Sequence, residues 1–498
     1  MMPSAGPRVP PARRVPAIAW DRPRDEMSET PQIRKVLGLW DVIAMNIVAV
    51  VGLRWLTRAA RIGAPSVTLW LLAWAAFFLP MAASVIELSS RDPEQGGLYA
   101  WTRRAFGPLH GFVCGWCLWV NNLFYFPSLL LFVAANALLM FGPDAGALAN
   151  SRVYSTVFVL GALWFCAGLN LLGLGAGRWL QNLGTISIWL PALLLVGAGA
   201  VAGVTMGSAT SFRPAALLPH QDFWSTVSLW SAMCFAFAGF EIGAFVGEEI
   251  KDARRTLPLG IAVAGLAATL IYIAGSASVL VALPADVLNE RSGIADAVAL
   301  SSRHLGLAGL GAVTGGLLAL GNLAGTNIWF GGAARIPFAA GVDRALPAWF
   351  ARLSPRHGTP VNAILVQGVA STVIFVSSVF LSVSGGRTTI QEAYDILVNL
   401  TILIYFVPYL YLFPALVRLR GRETGTSGGT WRVPGGRPGL WAAAVLGFAA
   451  TAVSVALVFI PPTGTRNVVN YEANLIGQAA LVLGTGALIY WTAARARG

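Results

Sequence analysis

Two segments of the sequence place an ionisable residue beside a glycine within an otherwise apolar run. The first is NIVAVVGLRW, in which Gly52 precedes Arg54, and the second is CFAFAGFEIGAF, in which Gly239 precedes Glu241. A charge inside an apolar helix is costly and indicates function by default. A helix that unwinds at a glycine exposes backbone N–H and C=O groups that can bind a small polar ligand. We therefore predict a ligand site where these two segments meet.

Both charged residues also have structural interpretations, which the sequence leaves open. Arg54 either binds a carboxylate through its planar guanidinium, pairs with Glu241, or extends to the outer membrane interface beside Arg58 and Arg61. Glu241 is either a proton-coupling residue or a fixed ion-pair partner of Arg54, since burial and a nearby cation act in opposite directions on its charge. The two glycines are also typical of close helix packing in membranes.

The composition indicates an integral membrane protein. Of the 498 residues, 56% are hydrophobic and only 11% are charged, whereas an ordinary soluble domain has about a quarter charged residues. Apolar runs recur from Val36 to Trp491, each long enough to cross a hydrocarbon core of about 30 Å as a helix. Because lipid cannot satisfy backbone polar groups, we predict an all-α fold. Residues 1–35 have no apolar core and are predicted to be a disordered cytoplasmic tail rather than a cleavable signal peptide.

Apolar runs and helix-breaking residues together predict twelve transmembrane helices. Their ranges are 36–58, 64–89, 109–141, 152–173, 178–206, 223–249, 257–283, 305–333, 360–383, 391–417, 438–460 and 471–494. Because the first and sixth helices are the ones interrupted by a glycine beside a charge, we predict an inverted repeat of five plus five helices. The first repeat covers 36–206, the second covers 223–417, and 438–494 hold two accessory helices.

The formal charge of +12 reflects membrane topology. Most of the 34 Lys and Arg residues fall in the connections predicted to face the cytoplasm, which places both termini inside and the protein in the plasma (cell inner) membrane. The basic residues are spread over many separate segments, which excludes a nucleic-acid surface. The four cysteines lie within apolar spans and the four histidines are scattered, so we predict no metal and no cofactor.

The chemistry-bearing residues favour a transporter over other membrane proteins. No nucleophile with a base is legible, so an enzyme is disfavoured. Repeated polar rings, which a channel would show, are absent from the sequence, and so is a phosphate-binding Gly-rich loop with lysine. A secondary transporter of small polar molecules remains.

Three motifs resemble the amino acid/polyamine/organocation (APC) superfamily of transporters. They are FAFAGFEIGAFVGEEIKDARRTLP at 235–258, EQGGLYAWTRRAFGP at 94–108, and ARIPFAAGVDRALPAWFARLSPRHGTP at 334–360. The resemblance extends over about residues 36–417. It implies the ten-helix inverted-repeat fold, alternating access, and an amino acid bound between the two broken helices. Within the superfamily, GGLYAWTRRAFGPLHGF and a third helix interrupted by proline at Phe126 and Pro127 resemble the glutamate/GABA antiporter branch.

The chain departs from the superfamily at the first break. The usual Gly-Ser-Gly aligns with Val51, Gly52 and Leu53, and Arg54 stands where an apolar residue is usual. Fewer glycines leave fewer freely exposed amides, and the side chain of Arg54 is predicted to supply the missing attraction for a carboxylate.

The residues and the alignment together give a set of predicted site residues. The substrate-binding set is Val51, Gly52, Leu53, Arg54, Trp55, Phe235, Ala238, Gly239, Phe240, Thr326 and Asn327. The proton-coupling residue is Glu241, and the inner gate is Glu248, Glu249 and Lys251 facing 94–108, with Glu87 joining it. Asp395 is predicted to lie at the membrane interface. We predict no sodium site at Thr326 and Asn327, because no carboxylate accompanies them.

The predicted function is transport of amino acids, by proton-coupled symport or by exchange. The partners are the amino acid, protons as the candidate coupling ion, and the lipid bilayer, with either a monomer or a homodimer as the assembly. The alternative function is a permease for amines, polyamines or another small metabolite.

Overall fold

The computed structural model describes residues 38–91, 97–173, 177–219, 223–240, 250–303, 306–307, 309–342, 346–381, 388–422, 431–462 and 465–495. These residues fold almost entirely into helices, which we number in chain order. The helices are α1 (Leu39–Val50), α2 (Arg54–Ala60), α3 (Pro65–Arg91), α4 (Gly97–Phe106), α5 (Pro108–Leu138), α6 (Arg152–Leu171), α7 (Arg178–Thr205), α8 (Phe223–Ser228), α9 (Trp230–Ala236), α10 (Ala253–Ala282), α11 (Gly293–Arg303), α12 (Leu310–Val342), α13 (Val361–Phe380), α14 (Ile390–Gly421), α15 (Gly436–Leu457) and α16 (Val468–Arg495).

Eight helices of the described ranges are long and apolar enough to cross a membrane. They are α3, α5, α6, α10, α13, α14, α15 and α16, and they correspond to the predicted spans 2, 3, 4, 7, 9, 10, 11 and 12. Helix α7 adds a shorter apolar stretch at Trp189–Thr205. The protein is therefore a multi-pass helical membrane protein, while the full count of twelve spans stays a prediction.

The long helices are not equally enclosed. Side chains of α5 and α14 are mostly buried, whereas α16 exposes large apolar residues such as Leu481 and Leu488. In water such a surface would be unfavourable, but in a bilayer it faces lipid tails that are equally apolar. The core therefore lies around α5 and α14, and α16 lies at the periphery.

The predicted interruption of the third span is wrong. Helix α5 runs from Pro108 to Leu138 with Pro127 inside it. A proline removes one N–H donor and can kink a helix without ending it, because neighbouring side chains can satisfy the freed groups. Here Pro127 deprives the carbonyl of Leu123 of its helical N–H partner, and the helix nevertheless continues to Leu138.

Two short helices lie between the predicted spans and were not predicted. Helix α4 ends in Arg103 and Arg104 before Phe106, and α11 carries Asp296 in its first turn. Both are amphipathic and too short to cross a bilayer. A search for long apolar runs passes over elements of this kind.

Candidate functional site

The first break lies between α1 and α2 and comprises residues 51–53. Helix α1 ends at Val50, Val51 is extended, and α2 begins at Arg54. A Cβ atom on Gly52 would lie 2.7 Å from the indole nitrogen of Trp55, which is closer than van der Waals contact. Glycine is therefore needed here for space against the indole.

The second break follows α9 and comprises residues 237–240. Gly239 has a φ of 112°, a left-handed conformation that favours glycine. Its N–H donates to the hydroxyl of Tyr409 on α14 at 3.1 Å. A Cβ atom on Gly239 would lie 3.4 Å from Cγ2 of Val50, so the second break lies directly against the end of α1. The structure thus brings the two predicted glycines together.

Aromatic rings line the region where the breaks meet. The rings of Trp55 and Phe235 contact edge to face with centroids 5.2 Å apart, and Phe235 contacts Tyr405 at 5.3 Å. Phe240 is buried and packs against Phe78 at 5.1 Å. The rings provide apolar walls and π faces, which suit a ligand with a short apolar body and an ammonium group.

Arg54 is enclosed in this region without a carboxylate partner among the described residues. Its side chain is 1% exposed, and Nη1 donates to the hydroxyl of Ser128 at 3.1 Å. The guanidinium carbon lies 4.3 Å from the ring centroid of Trp55 and 4.7 Å from that of Tyr125. Nη2 is buried and has no hydrogen-bond partner among the residues that the structure describes. A buried cation with a free donor is costly unless an anion reaches it.

This geometry bears on the two structural interpretations of Arg54, which are extension to the membrane interface and pairing with Glu241. The guanidinium is buried between the rings of Trp55 on α2 and Tyr125 on α5, which favours a contact inside the bundle over extension to the membrane interface. Pairing with Glu241 stays a prediction, since Glu241 lies outside the described residues, as do Glu248 and Glu249 of the predicted inner gate.

Lys251 is exposed, and its backbone carbonyl accepts from the hydroxyl of Thr256 at 2.8 Å.

Some of the other predicted substrate-binding residues lie at the breaks, and others bond elsewhere. Val51 and Leu53 are buried within the first break, and Ala238 lies half-buried within the second. Asn327 accepts a hydrogen bond from the amide of Asn170 on α6 at 3.0 Å. Thr326 donates to its own helix, at the carbonyl of Asn322. The hydrogen bonds of Thr326 and Asn327 are therefore to α6 and α12, not to the breaks, and their role as substrate contacts stays a prediction.

An ionic cluster that the sequence did not reveal lies one helical turn beyond Arg54. Nη1 of Arg58 lies 2.7 Å from Glu290 and 2.8 Å from Asp395, and Arg61 lies 2.8 Å from Glu290. Nη2 of Arg58 also donates to Asn399 at 2.9 Å. We call Arg58, Arg61, Glu290 and Asp395 the ionic cluster. It joins α2 to the segment before α11 and to α14.

Burial governs the electrostatics of the ionic cluster. Arg58 and Glu290 are both about 2% exposed. Asp395 is 5% exposed, so its side chain is buried and is not solvated. Burial alone would raise the pKa of Glu290, but the guanidinium groups of Arg58 and Arg61 bring it below its ordinary value. The three-residue spacing of Arg58 and Arg61, which places both on one helix face, is the sequence signal that could have indicated a need for buried carboxylates here.

Glu87 forms a second buried ionic contact. Its carboxylate lies 2.9 Å from Arg91 and 3.3 Å from Arg420, and it accepts the backbone N–H of Val433 at 2.7 Å. These contacts connect α3, α14 and the segment before α15. Glu87 is therefore accounted for by structural bonds, and its predicted part in an inner gate stays a prediction.

A large apolar groove lies away from the breaks. A groove of about 1050 Å³ lies between α5, α13 and α16 and is lined by apolar side chains such as Trp116, Val366 and Leu481. It contains none of the break residues. We assign the site to the breaks, because the groove offers no charged group to orient a polar ligand.

Comparison with known proteins agrees with this geometry. The sequence profile of the amino acid permease family matches residues 37–486. An uncharacterized transporter of Legionella pneumophila is 30% identical over 451 residues, covering 90% of this chain and 95% of the relative. A probable agmatine/putrescine antiporter of Lactococcus lactis is 26% identical, with 72% of this chain and 74% of the relative covered. A glutamate/gamma-aminobutyrate antiporter of the same organism is 24% identical, with 79% and 77% covered.

Two helix ends that meet beside a buried charge, within a bundle of helices long and apolar enough to span a membrane, are typical of a membrane transporter. The chain belongs to the amino acid permease family, and the resemblance to the APC superfamily is confirmed. The finer assignment to the glutamate/GABA branch stays a prediction, since one similar antiporter is named for glutamate and another for agmatine and putrescine.

Proposed function

We propose that the protein is a secondary active transporter of carboxylate-bearing amino acids, acidic or zwitterionic, which it carries by alternating access. The observation that supports this most is the buried guanidinium of Arg54 beside the first break, whose Nη2 has no partner within the described ranges of the chain. A substrate carboxylate would complete its hydrogen bonding. The planar guanidinium suits a carboxylate because it can donate two parallel N–H bonds.

The backbone at the breaks gives a second reason for a role of the Arg54 side chain. The N–H of Gly52 points to the hydroxyl of Tyr272 at 3.4 Å, and the N–H of Gly239 donates to that of Tyr409. Amides that would otherwise bind a carboxylate directly are thus engaged by tyrosines. The attraction for the carboxylate then falls to Arg54.

The same cation argues against the alternative substrate class. The name of one relative mentions agmatine and putrescine, which carry one or more positive charges and no carboxylate. A buried Arg54 without a described anionic partner would repel them. An amine permease would require Glu241 to neutralise Arg54 in full, and we place this alternative second.

The remaining assignments rest on the sequence and on family membership. We assign proton coupling to Glu241, and the inner gate to Glu248, Glu249 and Lys251. The proposed topology has both termini in the cytoplasm of a plasma-membrane protein, with 36–206 and 223–417 as the two repeats and 438–494 as accessory helices. In that orientation the ionic cluster lies on the outer side of the first break. Transport is either proton-coupled symport or amino acid exchange.

Ligand-induced stabilisation of the purified protein tests the substrate class. A ligand that binds only the folded state raises the melting temperature, by an amount set by its concentration relative to Kd. We expect L-glutamate, gamma-aminobutyrate or a neutral L-amino acid to raise it, and putrescine and agmatine to leave it unchanged. Stabilisation by putrescine or agmatine alone would refute the proposal and establish the amine alternative.

A further inference from the structure

The phenol hydroxyl of Tyr272 on α10 contacts both breaks at once. Its oxygen lies 2.9 Å from the carbonyl oxygen of Val50 and 2.9 Å from that of Ala236. It also accepts the N–H of Gly52 at 3.4 Å. Val50 is the last residue of α1 and Ala236 is the last residue of α9. One hydroxyl therefore lies within hydrogen-bond distance of the last residue of both helices, and its single proton is shared between the two carbonyl groups.

The ring of Tyr272 is held in place by α3 and by the second break. It stacks on Trp70 with centroids 4.5 Å apart and planes 15° apart, and it contacts the edge of Phe237 at 5.4 Å. Tyr272 and Trp70 are fully buried, and the indole N–H of Trp70 donates to Ser276 on α10 at 3.0 Å. The position of the hydroxyl is thus set by α3 and α10, together with Phe237 of the second break.

The need for such a hydroxyl follows from the ends of the helices. The last carbonyl groups of a helix have no partner within it. In an interior without water, an unsatisfied carbonyl is costly, and a hydrogen bond to it is worth more than at a surface. Removing the hydroxyl would remove the one O–H donor that the carbonyl groups of Val50 and Ala236 share.

We propose that Tyr272 is a positioning residue that holds the two breaks together as one unit, so that a displacement of one break is transmitted to the other. The connection is a property of the fold. Its role in transport rests on the proposed function, because a substrate bound at Arg54 would act on the second break through this hydroxyl. Tyr409 contributes at the second break, through the N–H of Gly239.

The substitution Tyr272→Phe tests the proposal because it keeps the ring and removes the hydroxyl. Amide hydrogen exchange is measured on the full-length protein, in peptides that cover 50–55 and 236–240. A net hydrogen bond of about 0.5–1.5 kcal/mol corresponds to about a two- to tenfold change in local opening. We expect exchange in both peptides to rise by about that factor. Peptides from the rest of α10 should be unchanged.

Tyr154→Phe is the matched control. The hydroxyl of Tyr154 also donates to a backbone carbonyl, that of Ala134 at 2.8 Å, at a site away from the breaks. It should lower the melting temperature about as much as Tyr272→Phe and leave exchange at both breaks unchanged. Exchange that rises at one break only, at neither break, or equally in the control would overturn the proposal.

Uptake distinguishes this proposal from the proposed function. In proteoliposomes supplied with a mixture of ¹⁴C-labelled L-amino acids, we expect the initial rate to fall at least about tenfold in Tyr272→Phe, relative to Tyr154→Phe. If the parent protein takes up no amino acid, the proposed function fails, while the exchange experiment still decides whether Tyr272 joins the breaks. Normal uptake by Tyr272→Phe would contradict its role in transport.

Discussion

The guanidinium carbon of Arg54 lies 4.3 Å from the ring centroid of Trp55, the next residue in the chain. The indole is itself positioned by Gly52, since a Cβ atom at residue 52 would lie 2.7 Å from its nitrogen. The glycine at the first break and the cation that follows it are therefore connected through one aromatic ring. This arrangement makes the side chain of Arg54, rather than the backbone alone, the centre of the site.

Gly52→Ala should weaken ligand binding through Trp55. The added methyl group would displace the indole and with it one face of the cation–π pair, which is worth about 0.5–2 kcal/mol. We expect Kd to rise by about two- to thirtyfold, measured by ligand-induced stabilisation or by titration calorimetry. Gly168→Ala on α6, where a Cβ atom has no neighbour within 4 Å, is the control. Equal affinities for the parent and Gly52→Ala would show that Trp55 does not position Arg54.

Glu241→Gln tests proton coupling. The amide keeps the shape of the carboxyl group and cannot titrate, so uptake should lose its dependence on pH between about pH 5 and about pH 8 while the fold is kept. If Glu241 only neutralises Arg54, the substitution should instead lower stability, by about 3–5 kcal/mol. A stable variant with the parental pH profile would exclude the proton role of Glu241.

Glu290→Gln should destabilise the protein, because it leaves Arg58 and Arg61 buried with one carboxylate fewer. Breaking a buried ion pair costs about 3–5 kcal/mol. The pKa of Glu290 is lowered in the folded state, so its contribution is present above the unfolded-state pKa of about 4.3. That contribution is lost as the pH falls through the lower folded-state value.

Melting temperatures at two pH values check this. The difference between the parent and Glu290→Gln should be large near neutral pH and should shrink at acidic pH. Glu472→Gln, at an exposed carboxylate on α16, should have little effect at either pH. A Glu290→Gln variant as stable as the parent at neutral pH would mean that the ionic cluster does not stabilise the fold.

The proposed topology predicts which positions an impermeant thiol reagent reaches in intact cells. All four native cysteines are buried, and they can be replaced to give a cysteine-free background. Lys251 and Asp286 are both exposed, one before α10 and the other after it. Asp286→Cys should be labelled and Lys251→Cys should not. Labelling of Lys251→Cys but not of Asp286→Cys would show that the orientation is the reverse of the one proposed.

Much of the fold followed from the sequence because its determinants are local. A transmembrane span is a continuous apolar run, so the predicted spans 64–89 and 391–417 lie close to α3 at Pro65–Arg91 and α14 at Ile390–Gly421. The first break was equally local, since a glycine and a charge within three residues indicated it.

The contacts between distant segments were not predictable in this way. Glu290 lies in a short connection with nothing in its neighbourhood to indicate Arg58, and the pair forms only because α2 and α11 pack together. In the sequence, Tyr272 is a single tyrosine within an apolar helix. Only the fold shows that its hydroxyl lies between the carbonyl groups of Val50 and Ala236. Pro127 led to the prediction of an interrupted helix, because the sequence alone does not show whether a helix continues past a proline.

The affinity of Arg54→Ala for an amino acid carboxylate tests the central claim most directly. Removing a charge-assisted contact should cost about 2–3 kcal/mol, or about a 30- to 150-fold rise in Kd. Arg54→Gln, which keeps a donor without the charge, provides a second variant should the truncation not fold. Arg303→Ala, at an exposed arginine ending α11, is the control and should keep the parental Kd. We predict the large rise in Kd for L-glutamate or a neutral L-amino acid, with no loss of melting temperature in Arg54→Ala. An unchanged Kd in the folded Arg54→Ala protein would contradict the account.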